Sequence, residues 1–175
     1  MSFFVSYPEA FFLAKTNRFV EHYLTGNFQP FPFHKFPTIA ALTTAVLKKF
    51  SQRALLSAAR LGTGGKVIPT ESCFQNEFYR ILQTILGFSS KVISEWSDDG
   101  GSRIDFMLEE PGWGIELLRE GDRLGEHCQR FVGNGRYTPL IHNGSIRDWL
   151  IIDCRKSQPR AYCESTSNSV HNLCY

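Results

Sequence analysis

Two carboxylates in the middle of the chain have the spacing of a metal site on a β-hairpin. Asp105 and Glu116 lie on either side of the turn sequence Glu110-Pro111-Gly112. With a tight two-residue turn, residue 105 would lie opposite residue 118, and the two carboxylates would project diagonally from one face, roughly 7–8 Å apart at Cα. Carboxylates this close repel each other unless a cation or a proton neutralises them. Their hard oxygen ligands suit Mg²⁺ or Mn²⁺, and such an ion can generate hydroxide and polarise a phosphate.

A third carboxylate, Glu77, precedes these two on a predicted helix. It lies at the edge of the apolar stripe of that helix, half turned toward the core, and is therefore a candidate third ligand. The same pattern also fits a plainer interpretation, in which Asp105 and Glu116 are the solvent-facing polar residues of an antiparallel hairpin. The residues alone leave both interpretations open.

The elements that must position these carboxylates are predicted from hydrophobic periodicity. Residues 72–86 are the clearest helix, with a capping box at Ser72 and Gln75, a stop at Gly87 and an apolar stripe formed by Phe74, Phe78, Ile81, Leu82, Ile85 and Leu86. Strands are predicted over 92–96, 103–108, 113–118 and 149–153, and a short helix over 120–131. In the second strand, alternation places Ile104, Phe106 and Leu108 on the face opposite Asp105. The order α-β-β-β-α-β predicts an α/β fold with a mixed sheet flanked by helices.

The first third of the chain predicts a helical amino-terminal segment. Helices are expected over 8–24 and 38–60, the second broken near Ser51, with a proline-rich loop over 28–37 between them. The sequence Gly62-Thr63-Gly64-Gly65 predicts a flexible join. We therefore expect a helical segment over 1–66, a main domain over 67–160 and a polar tail over 161–175.

Composition excludes several classes of protein. Of 175 residues, 42% are apolar and 21% are charged, which excludes a disordered chain, and no apolar run reaches the ~18 residues of a membrane helix. The first residues lack the pattern of a secretory signal, and five scattered cysteines favour a reducing compartment. Residues 1–66 carry eight Lys and Arg against two Asp and Glu, whereas residues 67–130 carry six against twelve. A basic flank beside an acidic patch is compatible with a nucleic-acid groove next to a metal site, although uneven charge is common on folded domains.

Longer strings resemble a known group of nucleases. A helix with a carboxylate, a strand with an Asp and a strand with Glu-x-x resemble the PD-(D/E)XK nuclease superfamily. Three strings look like the carboxy-terminal domain of Crinkler effectors of fungi and oomycetes, which is related to retrotransposon hot-spot proteins. They are Gln75-Asn-Glu-Phe-Tyr79, Gly101-Ser-Arg-Ile-Asp-Phe106 and Trp113-Gly-Ile-Glu-Leu-Leu-Arg-Glu-Gly-Asp-Arg-Leu-Gly-Glu-His127. Gly135-Arg-Tyr137 and Trp149–Arg155 also fit that domain, so the resemblance covers about residues 70–156.

The resemblance implies a restriction-endonuclease-like fold and a metal-dependent nuclease. Asp105, Glu116 and Glu77 match the acidic positions of the superfamily and would hold Mg²⁺ or Mn²⁺. The usual lysine, two residues after the glutamate, is replaced by Leu118. A leucine can neither orient the attacking water nor stabilise charge on the phosphate.

Basic residues near Glu116 are candidates to replace that lysine. Arg119 follows directly, and Arg123, His127 and Arg130 fall on one face of the predicted helix 120–131. A plainer interpretation pairs these arginines with Glu120 or Glu126 on a solvated helix face.

The expected function is therefore phosphodiester cleavage, with DNA as the favoured substrate and RNA as the second choice. Phosphate contacts are expected from Arg103, Arg119, Arg123 and Arg130. The alternative is a catalytically inactive nuclease-like module that binds nucleic acid or a host protein, which the missing lysine favours. The scattered cysteines and the lack of a membrane-spanning run predict an intracellular protein with no membrane partner. The resemblance implies an effector and favours the nucleus, that of a host cell included. A homo-oligomer is also compatible with the sequence.

Overall fold

The computed structural model of the chain describes residues 30–57, 60–61, 67–87, 90–97, 103–121, 123–155 and 170–174. The helix predicted over 8–24 and the join predicted over 62–65 lie outside these ranges, and the predicted loop over 28–37 is described from residue 30 onward.

A five-stranded mixed sheet forms the centre of the described structure. Its strands are β3 (Val92–Ser97), β4 (Arg103–Leu108), β5 (Trp113–Arg119), β6 (Asp148–Arg155) and β7 (Val170–Cys174), in the order β3-β4-β5-β6-β7. Strand β4 runs antiparallel to both of its neighbours, β3 and β5, and β5, β6 and β7 run parallel to one another. Two short strands, β1 (Arg60–Leu61) and β2 (Val67–Ile68), pair separately. The predicted α/β class with a mixed sheet flanked by helices is confirmed.

Five helices accompany the sheet in the described residues: α1 (Ile39–Leu47), α2 (Gln52–Ser57), α3 (Glu71–Leu86), α4 (Leu124–Gln129) and α5 (Thr138–His142). The predicted break near Ser51 is confirmed, and the Ser51 hydroxyl accepts a hydrogen bond from the Ala54 amide at the start of α2. The capping box predicted at Ser72 is wrong, because α3 begins one residue earlier, with Thr70 at the N-cap position. The short helix α5 was not predicted.

Each face of the sheet buries its own apolar cluster. On one face, which we call the α3 side, the cluster joins Phe31 and helices α1, α2 and α3 to strand residues such as Phe106, Leu117 and Ile152. On the other face, which we call the α4 side, Cys128 of α4, Leu140 of α5 and Tyr137 pack against strand residues such as Leu118 and Ile151. The segment over 31–57 therefore shares one core with the sheet.

The register of the β4–β5 hairpin differs from the prediction. Phe106 pairs with Ile115 and Leu108 with Trp113, so the connection has four residues and the predicted pairing of residue 105 with residue 118 is wrong. The longer loop contacts a segment distant in sequence: the Glu110 carboxylate accepts a hydrogen bond from the Phe31 amide at 2.7 Å, and the Phe31 ring packs edge-on against Trp113 at 5.1 Å.

Side-chain alternation along β4 is interrupted at Asp105. Phe106 and Leu108 lie in the α3-side cluster, whereas Ile104 lies in the α4-side cluster together with Met107. The β3–β4 ladder pairs Ser94 with Phe106 and Trp96 with Ile104 but omits the intervening pair, and Glu95 adopts a left-handed φ of 56°. The prediction that Ile104, Phe106 and Leu108 share one face is therefore wrong, because the strand is irregular at Asp105.

The polar tail predicted over 161–175 contains a strand. Val170–Cys174 pairs in parallel with β6 and forms one edge of the sheet. No helix in the described parts of the chain has both the length and the apolar character needed to cross a bilayer.

Candidate functional site

Glu116 is the centre of a polar cluster on the α4 side of the sheet. It lies on β5, between strands β4 and β6, and is only 2% exposed. Its Oε1 atom accepts a hydrogen bond from the Tyr137 hydroxyl at 2.6 Å, and its Oε2 atom contacts the Nδ1 atom of His127. The Nη1 atom of Arg130 lies 3.4 Å from each oxygen. We call these four residues the Glu116 cluster.

Helix α4 and the loop after it bring the partners of Glu116 together. His127 and Arg130 are three residues apart, so one helical turn places both side chains over β5. The chain then reverses, and the Tyr137 amide donates to the carbonyl of Arg130 at 2.7 Å. Phe131 supports this turn by packing against Tyr137 at 4.7 Å and stacking on Trp149 of β6 at 4.3 Å.

The reversal requires a glycine at position 135. A Cβ atom there would lie 2.0 Å from the carbonyl oxygen of Gln129 and 2.6 Å from the backbone of Arg130. Backbone atoms cannot move away as a flexible side chain can, so only glycine permits this approach. The position of Tyr137 therefore depends on Gly135.

The cluster places one carboxylate among three donors in a buried setting. Burial raises the pKa of the Tyr137 hydroxyl, and its hydrogen bond to Glu116 and the charge of Glu116 add to that shift. Tyr137 therefore remains a protonated donor. His127 presents Nδ1 to Glu116, and its Nε2 atom has no hydrogen-bond partner in the described part of the chain. A carboxylate at Nδ1 favours the tautomer with hydrogen on that atom and a lone pair on Nε2.

Asp105 is held by a different set of groups. Its Oδ2 atom accepts a hydrogen bond from the Leu117 amide at 2.8 Å, and its carboxylate also bonds the side chain of Gln75 on α3. Burial raises the pKa of Asp105 to about 6; the Leu117 hydrogen bond opposes this, and the charges of Glu116 and Glu71 add to it. Since Gln75 belongs to α3 and the partners of Glu116 belong to the α4 side, the carboxylates are held from opposite sides of the sheet.

Glu77 has a structural position between two helices. Its carboxylate accepts two hydrogen bonds from Arg80, both at 2.8 Å, and one from the Ser51 amide at 2.9 Å. Burial alone would raise the pKa of Glu77, but the hydrogen bonds from Arg80 and Ser51 and the charge of Arg80 hold it below its usual range. Glu77 therefore links α3 to the start of α2.

These contacts do not form the predicted metal site. Magnesium ligands need free carboxylate oxygens that converge on one point, whereas the oxygens of Glu116 and Glu77 already accept bonds from protein cations and other donors. Among the described residues, no three His, Cys, Asp or Glu side chains are grouped as metal ligands. The donor set of Asp105, Glu116 and Glu77 in this arrangement does not fit Mg²⁺ or Mn²⁺.

The predicted basic residues take separate positions. Arg123 lies before α4 in a left-handed conformation, φ 50°, so it does not share a helix face with His127 and Arg130 as predicted. Arg119 is half-buried at the end of β5. Arg103 is largely exposed and forms an ion pair with Glu95 at 2.7 Å. Of the predicted set, His127 and Arg130 contact Glu116.

Leu118, at the position of the usual lysine, is buried in the α4-side cluster. The loop that follows β5 is fixed by Asp153, a fully buried residue of β6. Asp153 accepts hydrogen bonds from the Gly121 amide at 2.8 Å and from Nε of Arg155 at 2.6 Å. This anchor determines where α4 begins and so supports the placement of His127.

Two residues of these sites were not predicted from the sequence: Tyr137, which donates to Glu116, and Gln75, which bonds Asp105. Tyr137 belongs to a string that carries the resemblance, but nothing in that string pointed to a role for its hydroxyl. The sequence predicts a capping role for Gln75, and its polar side chain on a core-facing helix is the signal that points to a buried partner. Comparison of the chain with protein-family models, with curated proteins and with solved structures finds no match.

Proposed function

We propose that this chain is a nuclease-type domain that binds the phosphodiester backbone of a nucleic acid and cleaves it. The element order supports a restriction-endonuclease-like core: α3, the antiparallel strands β3, β4 and β5, then α4 and α5, then the parallel strand β6. Glu116 on β5 and Asp105 on β4 lie on the strands at which the resemblance expects the acidic residues.

The Glu116 cluster is the observation that carries this proposal. It combines an imidazole whose Nε2 atom has no partner among the described residues, a carboxylate that orients this imidazole, and a guanidinium group. An oriented imidazole can transfer a proton, and a guanidinium can stabilise the charge that develops on a phosphoryl group. Both actions promote phosphodiester cleavage.

Magnesium is the cofactor that the resemblance implies, and it would act as a Lewis acid on the phosphate. Asp105 is the only one of the three expected ligands without a cationic partner in the described ranges. One carboxylate is not a sufficient donor set, so the proposed function includes no step that depends on the ion.

The test is cleavage of supercoiled plasmid DNA and of single-stranded RNA by the purified chain, each with Mg²⁺, with Mn²⁺ and with EDTA. Cleavage of either nucleic acid that increases with protein concentration supports the proposal. Absence of cleavage under all six conditions contradicts it.

A second candidate function is a module that binds nucleic acid without cleaving it. The burial of Leu118 at the lysine position favours this function, because no ammonium group approaches Glu116 from the strand. Binding through arginine–phosphate contacts predicts an affinity that falls steeply with salt, with a slope of about −0.9 per phosphate contact on duplex DNA. Fluorescence anisotropy between 50 and 300 mM salt, roughly the range over which such contacts weaken, measures the slope; a salt-independent interaction would indicate a protein partner.

A further inference from the structure

We propose that the substrate is RNA and that His127 is the general base, taking a proton from the ribose 2′-hydroxyl without a metal ion. This inference rests on the proposed nuclease function and names its substrate class. Glu116 is then a positioning residue for His127 rather than a metal ligand.

The first support is the orientation of His127. Its Nδ1 atom faces the buried carboxylate of Glu116, which is itself fixed by the Tyr137 hydroxyl. The lone pair of a neutral imidazole is therefore on Nε2, the atom without a partner in the described residues. The His127 side chain is 12% exposed, so it is held by its neighbours and still reaches the surface.

The second support comes from the nucleophile. Hydrolysis of DNA needs an activated water, which nucleases of the resembled superfamily obtain from a metal ion, and the carboxylates here are occupied by protein donors. RNA carries its own nucleophile, the 2′-hydroxyl, next to the phosphorus atom. An intramolecular nucleophile gains a large proximity advantage and needs only a base to remove its proton.

The third support is Arg130. Its Nη1 atom contacts Glu116 at 3.4 Å, while 27% of the side chain is exposed. A guanidinium group has five N–H donors, and a single nitrogen near Glu116 leaves others to reach a phosphate oxygen. Arg130 and His127 thus place a cation and a base on the same side of β5.

The chemical step is balanced without a further reactant. Nε2 of His127 takes the proton of the 2′-hydroxyl as the O2′–P bond forms. The P–O5′ bond breaks, and the leaving O5′ atom takes a proton from water. The hydroxide that this leaves takes the proton from the imidazolium of His127, which restores the base. The products are a 2′,3′-cyclic phosphate and a 5′-hydroxyl end.

The experiment compares three oligonucleotides of one sequence in EDTA: RNA, DNA and 2′-O-methyl RNA. We expect cleavage of RNA alone, with products that carry 2′,3′-cyclic phosphate ends. The 2′-O-methyl substrate tests the nucleophile on the unmodified protein, so this result does not depend on whether a variant folds. Equal cleavage of RNA and its 2′-O-methyl form overturns the inference.

Variants then test the base. His127→Ala should lose about 100-fold or more in rate, since general bases contribute about 10²–10⁴-fold. Added imidazole should restore part of the rate, which a merely structural role would not allow. His142→Ala on α5, an exposed histidine of the same side of the sheet, is the matched control and should keep full activity.

The outcomes separate the inference from the function. Cleavage of DNA that needs Mg²⁺ and survives His127→Ala would overturn the inference and keep the proposed nuclease. Absence of cleavage of any nucleic acid, with or without metal, would overturn both.

Discussion

Asp105 is a carboxylate whose burial opposes folding. Its carboxylate is held inside the sheet by the Leu117 amide and Gln75, and its pKa is raised to about 6 by burial and by the charges of Glu116 and Glu71. The native state therefore binds this proton more tightly than the unfolded chain. The free energy of unfolding therefore decreases as the pH rises from about 4 to about 6, because the unfolded chain loses this proton first. Above about pH 6 the whole of this decrease is present.

Asp105→Asn should remove this cost, because the amide oxygen can still accept the bond from Leu117. We expect the variant to be more stable than the wild type at pH 7 by at most about 3 kcal/mol. The difference should disappear near pH 4. Urea unfolding at several pH values measures it, with Glu126→Gln, an exposed carboxylate on α4, as the control. A variant that is less stable at pH 7 would contradict this account of Asp105.

Glu77 acts at the scale of elements, because it joins α3 to the start of α2. Glu77→Gln keeps an acceptor for the Ser51 amide and loses the ion pair with Arg80. Because Arg80 is half-exposed, we expect a loss of only about 1 kcal/mol at pH 7. The lowered pKa of Glu77 means that its stabilisation is present above its usual pKa and is lost as the pH falls through the native value.

The difference between wild type and Glu77→Gln should therefore shrink toward pH 3, which urea unfolding at pH 7, 5 and 3 detects. A metal ligand would behave differently: its substitution would reduce nuclease activity in Mg²⁺ and leave the unfolding curve in EDTA unchanged.

The turn after α4 is a second feature at this scale. Gly135→Ala would drive a Cβ atom into the backbone at Gln129 and Arg130, so the loop must shift and carry Tyr137 away from Glu116. Overpacking of this kind against backbone, with a buried donor lost, predicts a loss of more than about 3 kcal/mol. Gly114→Ala is the matched control, because its nearest neighbour is Ile104 at an ordinary 3.6 Å. Thermal unfolding followed by circular dichroism compares the two, and equal melting temperatures would contradict the argument.

At the scale of the whole molecule, the segment over 31–57 and the sheet share one core. Leu42 of α1 is fully buried in the α3-side cluster with Phe78 and Leu117. Leu42→Ala should therefore destabilise the entire fold by about 2–5 kcal/mol. The transition should remain single, because the shared core makes unfolding of the segment and of the sheet one event.

Two probes check this prediction: far-ultraviolet circular dichroism, and the fluorescence of the tryptophans, which include Trp113 on the α3 side and Trp149 on the α4 side. Both should shift together. Thr44→Ala, an exposed substitution on the same helix, should change the free energy of unfolding measured by either probe by no more than about 0.5 kcal/mol. Two separate transitions would instead show an amino-terminal unit that folds independently of the sheet.

Elements with a local hydrophobic pattern were predictable from the sequence. The apolar stripe of α3 and the alternation in β5 placed their ends within one residue, since helical and strand periodicities depend only on neighbours in the chain. The break at Ser51 was predictable for the same reason, and so was the order of α3, β3, β4, β5, α4 and β6, from which the mixed sheet follows; α5 and β7 were not predicted.

The contacts between distant residues depend on how the elements pack. The Glu110 carboxylate in the hairpin loop binds the amide of Phe31, 79 residues away. The irregularity of β4 at Asp105 gives this carboxylate a partner on α3, whereas Glu116 has its partners on the α4 side. Tyr137 reaches Glu116 only because the chain reverses at Gly135. The sequence does not show whether a carboxylate binds a metal, an arginine or a peptide N–H, because its partners depend on packing and not on spacing in the chain. The candidate acidic residues could therefore be identified from the sequence. Their hydrogen-bond and ion-pair partners depend on contacts between distant segments.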